Sequence, residues 1–390
     1  MKGNKLLVVI CVAIVLVIVT LVIYRSHQNT SSDEVFRIGV ILPLTGPVAA
    51  DGEDALIGIK IAKETPICKS NNVVFIVKDS KLDAKETSNV FNLLTADNVD
   101  AMIVAGDLSC QVIQPMIERN SIPVVAPMAG SPQSIDKSDW IFRCWTSVEH
   151  ISKVLATYAS RDLNFKKIAI LHIDALHGVD SAKAFTECFN NLGGQICVQE
   201  VFPLVTSDIK TQISKILKSN PEAVYVTGYG LGYVVALNQL REVGYKGIIL
   251  ADAAIDDPRV QKNIVDKKDI IYAGSALEDN INESPATQDF FNKYREIVED
   301  SEANVPPQAP FTFEGAMVLI NAFSSEGKSR VGIRDFIGNL KDFPSIFGDI
   351  SFDKAGEIYF PIHVKKYDEN GAPLTLNNHL WKEVIYGEYK

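Results

Sequence analysis

The chain has 390 residues, a formal net charge of −10 and 47% hydrophobic residues. The acidic balance argues against nucleic acid or an anionic lipid surface as a partner, and the hydrophobic content is ample for large buried cores. Outside the N-terminal apolar run the five cysteines are sparse and lack CxxC spacing, so the sequence indicates neither a disulfide framework nor a zinc site.

The chain begins with an unbroken apolar run from Leu6 to Tyr24. As a helix this run would be about 28 Å long, which matches the roughly 30 Å hydrocarbon core of a bilayer. Lys2 and Lys5 precede it, as expected for a signal or an anchor with its N-terminus inside. Because no small residues close the run, an uncleaved anchor is favoured over a cleavable signal. We expect a transmembrane helix in residues 1–25, a tether in 26–35 and an extracytoplasmic remainder at the cell membrane.

Beyond the tether, short apolar runs rich in β-branched residues alternate with stretches of helical periodicity. This alternation predicts an α/β fold with parallel sheets covered on both faces and right-handed crossovers between strands. The roughly 355 residues suffice for two doubly wound lobes. The predicted strands are 36–42, 73–77, 101–105, 123–126, 168–172, 196–201, 223–227, 247–250 and 270–273, and the predicted helices are 54–63, 85–94, 181–192, 211–217 and 233–243.

The loops that follow the predicted strands are where a ligand is expected. In doubly wound sheets, helix N-termini beyond the carboxyl ends of the strands offer unpaired N–H groups and a positive dipole end. These loops are rich in Gly, Ser, Asp and Ala, and they offer few groups for covalent chemistry. They read LPLTGPVAADG, KDSKLDA, AGDLSCQ, APMAGSPQ, HIDALHG, TGYGLG and LADAAIDD.

Signals for an enzyme or a cofactor fail on inspection. In GYGLG the third glycine of a dinucleotide fingerprint would fall on Tyr233, and the opening glycine of a phosphate loop before GKS would fall on Ala322. His172 and His177 do not have the spacing of a zinc-binding helix, and the other histidines are scattered. We therefore expect no catalytic residue, no metal and no cofactor. If any cysteines pair, Cys188 and Cys197 are the most suitable, on a helix and the strand that follows it.

Six stretches carry a resemblance to a known family. They are IGVILPLTGPVAADG at 38–52, APMAGSPQSI with IFRCW at 126–145, KKIAILHIDALHG at 166–178, SDIKTQISKILKSNPEAVYVTGYG at 207–230, FEGAMVLINAF at 313–323 and GDISFDKAGE at 348–357. In this order they resemble the extracytoplasmic solute-binding proteins of branched-chain amino-acid (leucine/isoleucine/valine) ABC transporters, which have the type I periplasmic-binding fold.

The resemblance implies two lobes joined by three hinge segments. Lobe one would comprise residues 36–150 plus 274–347, and lobe two residues 151–273 plus 348–390. It also implies that the protein binds a small polar solute, an amino acid or a related compound, by hinge closure and delivers it to ABC permease subunits. The alternative is a ligand-sensing ectodomain of a receptor or regulatory complex, because function does not follow from fold alone.

In the resembled family, lobe one holds the carboxylate of an amino acid with backbone amides and a hydroxyl. The resemblance places the loop amide at Cys110, beside Ser109, although a buried hydrophobic role for Cys110 remains open. The family's carbonyl position falls on Met128 and its threonine on Gly130, so the hydroxyl is missing unless Ser131 supplies it. The family's two disulfide positions fall on residues without a thiol, Leu82 and Ser109.

In lobe two of the family, an acidic side chain takes the ammonium group and aromatic side chains cover the tail. One aromatic position falls on Tyr229, but two others fall on Asp51 and His177, which favours a more polar solute. The ammonium-binding glutamate falls on Ala253, and we expect Asp252 to take over its role, with Asp256 as another carboxylate nearby. The alternative is that Asp252 caps the helix that follows.

Overall fold

The computed structural model describes residues 35–136, 138–275, 277 and 284–386. Within these ranges no helix combines the length and the apolar character needed to cross a bilayer. The anchor expected at 6–24 and most of the tether lie outside the described residues.

The first sheet is parallel throughout. Its strands are β1 (Phe36–Leu42), β2 (Val73–Asp79), β3 (Ala101–Val104), β4 (Val124–Ala126) and β5 (Ile141–Arg143), in the order β2-β1-β3-β4-β5. Strand β1 is buried on both faces: Phe36, Ile38, Val40 and Leu42 belong to one core, and Ile41 belongs to the core on the other side. Burial on both faces explains why this strand reads as a continuous apolar run.

The second sheet contains parallel and antiparallel strands. Its strands are β6 (Lys167–Ile173), β7 (Gln195–Phe202), β8 (Ala223–Thr227), β9 (Ile248–Ala251) and β10 (Ile270–Ser275), with β13 (Ile362–Tyr367) and β14 (Pro373–Asn377), and β11 (Phe343–Ser345) and β12 (Gly348–Ile350) form a separate hairpin. The order is β14-β13-β10-β9-β8-β6-β7, and β13 pairs antiparallel with both neighbours. The expected parallel sheet is therefore corrected at this edge, where β13 runs antiparallel to β10 and a hairpin then returns the chain in β14.

Helices cover both faces of the two sheets. They are α1 (Ala49–Glu64), α2 (Pro66–Ser70), α3 (Ala84–Ala96), α4 (Asp107–Asn120), α5 (Val148–Arg161), α6 (Leu176–Asn191), α7 (Lys210–Lys218), α8 (Gly230–Glu242), α9 (Pro258–Asn263), α10 (Pro285–Ile297), α11 (Gln308–Glu326), α12 (Arg330–Gly338) and α13 (Leu380–Tyr386). Helices α1 and α11 approach closely at Gly58, where a Cβ atom would lie 2.2 Å from the carbonyl oxygen of Ala309. A larger residue at this position would push the two helices apart.

The chain crosses from lobe one to lobe two for the last time at a later position than expected. We expected residues after 347 to belong to lobe two, but Ile350, Phe352 and Phe360 lie in the core of lobe one. The ring of Phe360 contacts that of Phe311 edge-on at 4.9 Å between centroids, which extends this core. Strand β13 then joins the second sheet. The proposed division into lobes therefore needs its third crossing at 360–362.

The cysteines of the described residues are free. The Sγ atom of Cys188 lies 3.6 Å from the hydroxyl of Thr157, and that of Cys197 lies 3.2 Å from the hydroxyl of Ser219. The suggested pairing of Cys188 with Cys197 is therefore wrong, because each thiol contacts a different neighbour.

A buried carboxyl group in lobe one generates a prediction about pH. Glu314, on α11, is 1% exposed, and its Oε2 accepts the N–H of Ile346 at 3.3 Å. Burial raises its pKa from 4.5 to about 8, partly offset by that hydrogen bond. Because the folded state keeps the proton that the unfolded chain loses, stability that is present below pH 4.5 is lost as the pH rises towards about 8.

We expect Glu314→Gln to increase the free energy of unfolding at pH 8 by about 2 kcal/mol and to change it little at pH 5. Urea unfolding at both pH values measures this. The control is Glu296→Gln, an exposed residue on α10 that should show no such difference. Equal effects of Glu314→Gln at the two pH values would contradict a neutral Glu314 in the core.

Candidate functional site

A cavity of about 590 Å³ lies between the carboxyl ends of the two sheets. Its wall contains Gly106 after β3, Met128 after β4 and Trp145 after β5 from lobe one, and Tyr229 after β8 from lobe two. This is where a doubly wound fold is expected to bind ligands, and the volume suits a small organic molecule.

Lobe one presents the N-terminus of α4 to the cavity through Gly106 and Asp107. The first backbone hydrogen bond of this helix runs from the N–H of Cys110 to the carbonyl of Gly106 at 3.1 Å. The N–H groups of 107–109 therefore precede the helical ladder, in a position that favours an anionic group. The side chain of Asp107 is directed to the loop after β4, where its Oδ1 accepts the N–H of Ser131 at 2.9 Å and the hydroxyl of Ser134 at 2.6 Å.

Much of the cavity wall is apolar. Trp145 contributes its indole ring, which packs against Phe311 with centroids 4.6 Å apart. Such a wall suits a ligand with an apolar body and a few polar groups. The apolar lining residues are Pro43, Pro47, Val48, Ala50, Leu82, Ala105, Leu108, Met128, Trp145, Val148, Ile151, Leu231, Val234, Val235, Ala253, Ala254, Val260 and Pro307.

His177, in the first turn of α6, forms part of the wall in lobe two. Its Nε2 lies 2.8 Å from Asp252 Oδ2, and its ring meets Tyr229 edge-on at 5.5 Å. Burial acts to lower the pKa of His177, but the hydrogen bond and charge of Asp252, together with Asp107 and Asp180, raise it overall. His177 therefore stays protonated to higher pH than a free histidine.

Asp252 lies behind His177, is 2% exposed and is not among the lining residues. Besides facing His177, its Oδ2 accepts the hydroxyl of Thr227 at 2.6 Å and the N–H of Gly228 at 3.1 Å. Its Oδ1 accepts the N–H of Ala254 at 3.2 Å, as the cap of a short 3-10 helix. The geometry therefore matches the capping alternative, and the expected contact between Asp252 and a ligand has no support in it.

Arg259, on α9, reaches across the cleft from lobe two. Its Nη2 lies 2.6 Å from Asp51 Oδ1, 3.1 Å from Asp54 Oδ2 and 2.5 Å from Asp257 Oδ2. Gln308 Nε2 donates to Asp51 Oδ1 at 3.2 Å and to Asp257 Oδ2 at 3.3 Å. These five residues, which we call the Arg259 cluster, join the lobes, because Asp51, Asp54 and Gln308 belong to lobe one.

The carboxylates of the Arg259 cluster outnumber its cation. Burial raises the pKa values of Asp51 and Asp54 to about 6, and the nearby Asp257 adds to the effect, although Arg259 opposes it. One guanidinium therefore does not fully compensate the three carboxylates in this partly buried setting.

A second set of contacts joins the lobes at Asp180, on α6. The hydroxyl of Ser131 donates to Asp180 Oδ2, and Gln133 Nε2 donates to Asp180 Oδ1 at 2.7 Å. Ser131 and Gln133 belong to the loop after β4, so these bonds also cross from lobe one to lobe two. The conformation described is thus one in which the lobes touch around the cavity.

Four of the nine expected ligand-binding residues line this cavity: Asp51, Met128, His177 and Tyr229. Gly130 lies beside the wall, because a Cβ atom there would be 3.6 Å from His177 Nδ1. These placements follow from the position of the loops at the ends of the strands.

The other expected residues lie outside the wall. Ser109 and Cys110 are fully buried on α4, where Cys110 Sγ contacts the carbonyl of Val104 at 3.5 Å. The amide of Cys110 is used within the helix, so the expected amide contact moves to the residues just before it. Ser131 contacts Asp180 rather than the cavity, and Asp252 supports His177.

Sequence reasoning missed part of the wall. The wall also contains Asp107, which follows β3, and Asp257 and Arg259, which follow β9. Their position after a strand could have identified them from the sequence. Gln308 begins α11, far along the chain from those loops. No local pattern marks Gln308, because its place in the wall depends on how α11 packs against α1.

The family model described as periplasmic binding protein matches residues 35–372. The chain belongs to the periplasmic binding protein family. The predicted family resemblance and the predicted α/β fold of this type are confirmed, as is the prediction that the chain is a binding protein rather than an enzyme.

Among curated relatives, Leu/Ile/Val-binding protein homolog 1 of Brucella suis is 23% identical over 353 residues, which is 86% of this chain and 91% of that protein. Homolog 3 of Brucella melitensis is 25% identical over 229 residues, which is 56% of this chain and 61% of that protein. The chain thus spans less than two thirds of homolog 3.

Solved structures share the fold. The leucine binding protein LivK of Thermotoga maritima has a TM-score of 0.79 at 23% identity, over 87% of this chain and 97% of that one. A solute binding protein of Rhodopseudomonas palustris in complex with 3,4-dihydroxy benzoic acid has a TM-score of 0.76 at 20% identity, over 88% of this chain and 96% of that one. LivJ of Streptococcus pneumoniae in complex with isoleucine has a TM-score of 0.75 at 20% identity, over 88% of this chain and 100% of that one.

The pairing of His177 with Asp252 can be tested directly. We expect Asp252→Asn to lower the pKa of His177, because the negative charge that offsets burial is removed. An NMR titration of isotope-labelled histidine measures this. In the control Thr227→Val the charge of Asp252 remains, so the pKa of His177 should stay raised. An unchanged pKa in Asp252→Asn would show that the two side chains are not paired in solution.

Proposed function

We propose that this protein captures a small solute between its lobes by hinge closure and delivers it to the permease subunits of an ABC transporter. The observation that carries the proposal is the cavity of about 590 Å³, whose wall comes from both lobes. Because the wall is complete only when the lobes meet, a solute that contacts both favours the closed state by its differential affinity.

We propose a small polar solute, an amino acid or a related compound, as the ligand. The N–H groups at the start of α4 suit a carboxylate, and the apolar wall suits a side chain. LivJ of Streptococcus pneumoniae with isoleucine and the Rhodopseudomonas palustris protein with 3,4-dihydroxy benzoic acid support a small carboxylic acid. Permease and ATPase genes beside this one would favour transport over sensing.

We further propose that the apolar run from Leu6 to Tyr24 anchors the protein in the membrane by a single pass, with the lobes on the extracytoplasmic side. Its length, its lack of charge and the two preceding lysines support this placement. An anchor would keep the binding lobes close to a permease.

Closure is tested with a panel of L-isoleucine, L-leucine, 3,4-dihydroxybenzoate, L-glutamine and L-lysine. A ligand at a hundredfold excess over its Kd should stabilise the fold by about 2.7 kcal/mol, seen as a higher melting temperature. It should also change the fluorescence of Trp145, which lines the cavity. The change in fluorescence should be absent in Trp145→Phe.

Contacts between the lobes provide the matched variants for this experiment. Ser131→Ala removes a bond to Asp180 across the cleft, so it should weaken ligand binding about tenfold, or about 1.4 kcal/mol. Ser138→Ala removes a bond to Glu118 within lobe one and should leave the affinity unchanged. A panel that shifts neither melting temperature nor fluorescence would contradict capture of a small solute.

The anchor is tested by cell fractionation and N-terminal sequencing. We expect the full chain in the membrane fraction with its N-terminus retained, because the end of the run lacks a cleavage site. Deleting residues 1–32 should release the protein from membranes. If the protein isolated from its own cells were freely soluble and its sequence began near Ser31, the anchor would be refuted.

A further inference from the structure

We infer that the solute carries, in addition to any α-ammonium group, a second cationic group, an ammonium or a guanidinium, that binds beside the Arg259 cluster and supplies positive charge that this part of the wall lacks. The inference rests on the proposed function and narrows its ligand class. The Arg259 cluster contains only one residue, Asp51, that the family resemblance placed in the binding site.

The first observation is the balance of charge in the wall. Three carboxylates line the cavity, those of Asp51, Asp107 and Asp257, and Arg259 is the guanidinium among the lining residues. Asp54 adds a fourth carboxylate in contact with Arg259. His177 also lines the cavity, but it is already paired with Asp252, which does not line the cavity. An incoming cation is therefore attracted to the part of the wall around the Arg259 cluster, and an anion is repelled from that part.

The second observation is independent of charge. Gln308 lines the same part of the cavity and is 8% exposed. Its Nε2 is used by Asp51 and Asp257, while its Oε1 has no hydrogen-bond donor among the described residues. A buried acceptor without a donor is unfavourable, so this position calls for a group with N–H donors. Ammonium and guanidinium groups have several donors and no acceptor.

Closure links the cation to the conformation of the protein. Asp51 and Asp54 come from lobe one and Asp257 from lobe two, so the three carboxylates meet around Arg259 when the lobes meet. A cation bound next to them reduces their mutual repulsion. It therefore binds the closed state more tightly than the open state, which is the requirement for a ligand that drives closure.

Proton release is a signature of this arrangement. The pKa values of Asp51 and Asp54 are raised to about 6, and the groups that act on Asp54 also include Glu53 on α1 and the hydroxyl of Tyr294 on α10. A bound cation favours the ionised carboxylates and lowers both pKa values. Near pH 6 binding should therefore release protons, whereas at pH 8 the carboxyl groups have already lost them.

The test compares L-lysine with L-norleucine on the full chain. Both are α-amino acids with a four-carbon side chain, and lysine adds the ε-ammonium group. We expect L-lysine to bind at least tenfold more tightly by calorimetry. At pH 6, its binding enthalpy measured in two buffers of different ionisation enthalpy should show proton release, which should be lost at pH 8.

Variants on one helix provide the control. Asp51→Asn should reduce the preference for L-lysine over L-norleucine about tenfold, whereas Glu64→Gln, which removes an equal charge from the exposed last turn of α1, should keep it. Norleucine binding as tightly as lysine to the wild-type chain would overturn the inference and leave solute capture standing. Binding of neither compound would also overturn it, and solute capture would fail only if the whole panel failed.

Discussion

In the conformation described, carboxylates of both lobes lie in one partly buried wall, and the rest of the site depends on how their charge is balanced. Asp51 and Asp54 approach Asp257, with Arg259 between them. A carboxylate removed from water without sufficient pairing costs several kcal/mol. The apolar part of the wall favours closure with any solute that fills it. The Arg259 cluster instead makes closure depend on the charge that the solute brings.

Two parts of the cavity wall favour opposite charges, and the Arg259 cluster forms only one of them. The N–H groups at the start of α4 lie in the part of the wall near His177, whose pKa Asp107 helps to raise. These N–H groups favour an anionic group. The carboxylates of the Arg259 cluster favour a cation. A solute with a carboxylate and a separate cationic group matches both parts, whereas a neutral apolar solute matches neither. Asp252, expected to bind an ammonium group, instead pairs with His177 and helps to raise its pKa.

Strands buried on both faces could be predicted from the sequence, and the elements held by tertiary contacts could not. The observed bounds of β1 and β8 equal the predicted ones, because both are continuous apolar runs. Strand β13 was missed since its Lys365 and Lys366 interrupt the apolar pattern. The loops at the strand ends located the wall, but the bond of Arg259 to Asp51 joins residues 208 positions apart. No local periodicity encodes such a contact, because it exists only when the lobes meet.

The loop after β4 that contacts lobe two is also fixed within lobe one. Arg143, fully buried at the end of β5, donates from Nη2 to the carbonyl of Ser131 at 2.6 Å and pairs through Nη1 with Glu357 at 2.9 Å. All three residues belong to lobe one, so these bonds can persist when the cleft opens. Ser131 is thereby held ready to donate to Asp180, and closure need not order this loop first. A smaller ordering cost leaves more of the solute's binding free energy to select the closed state.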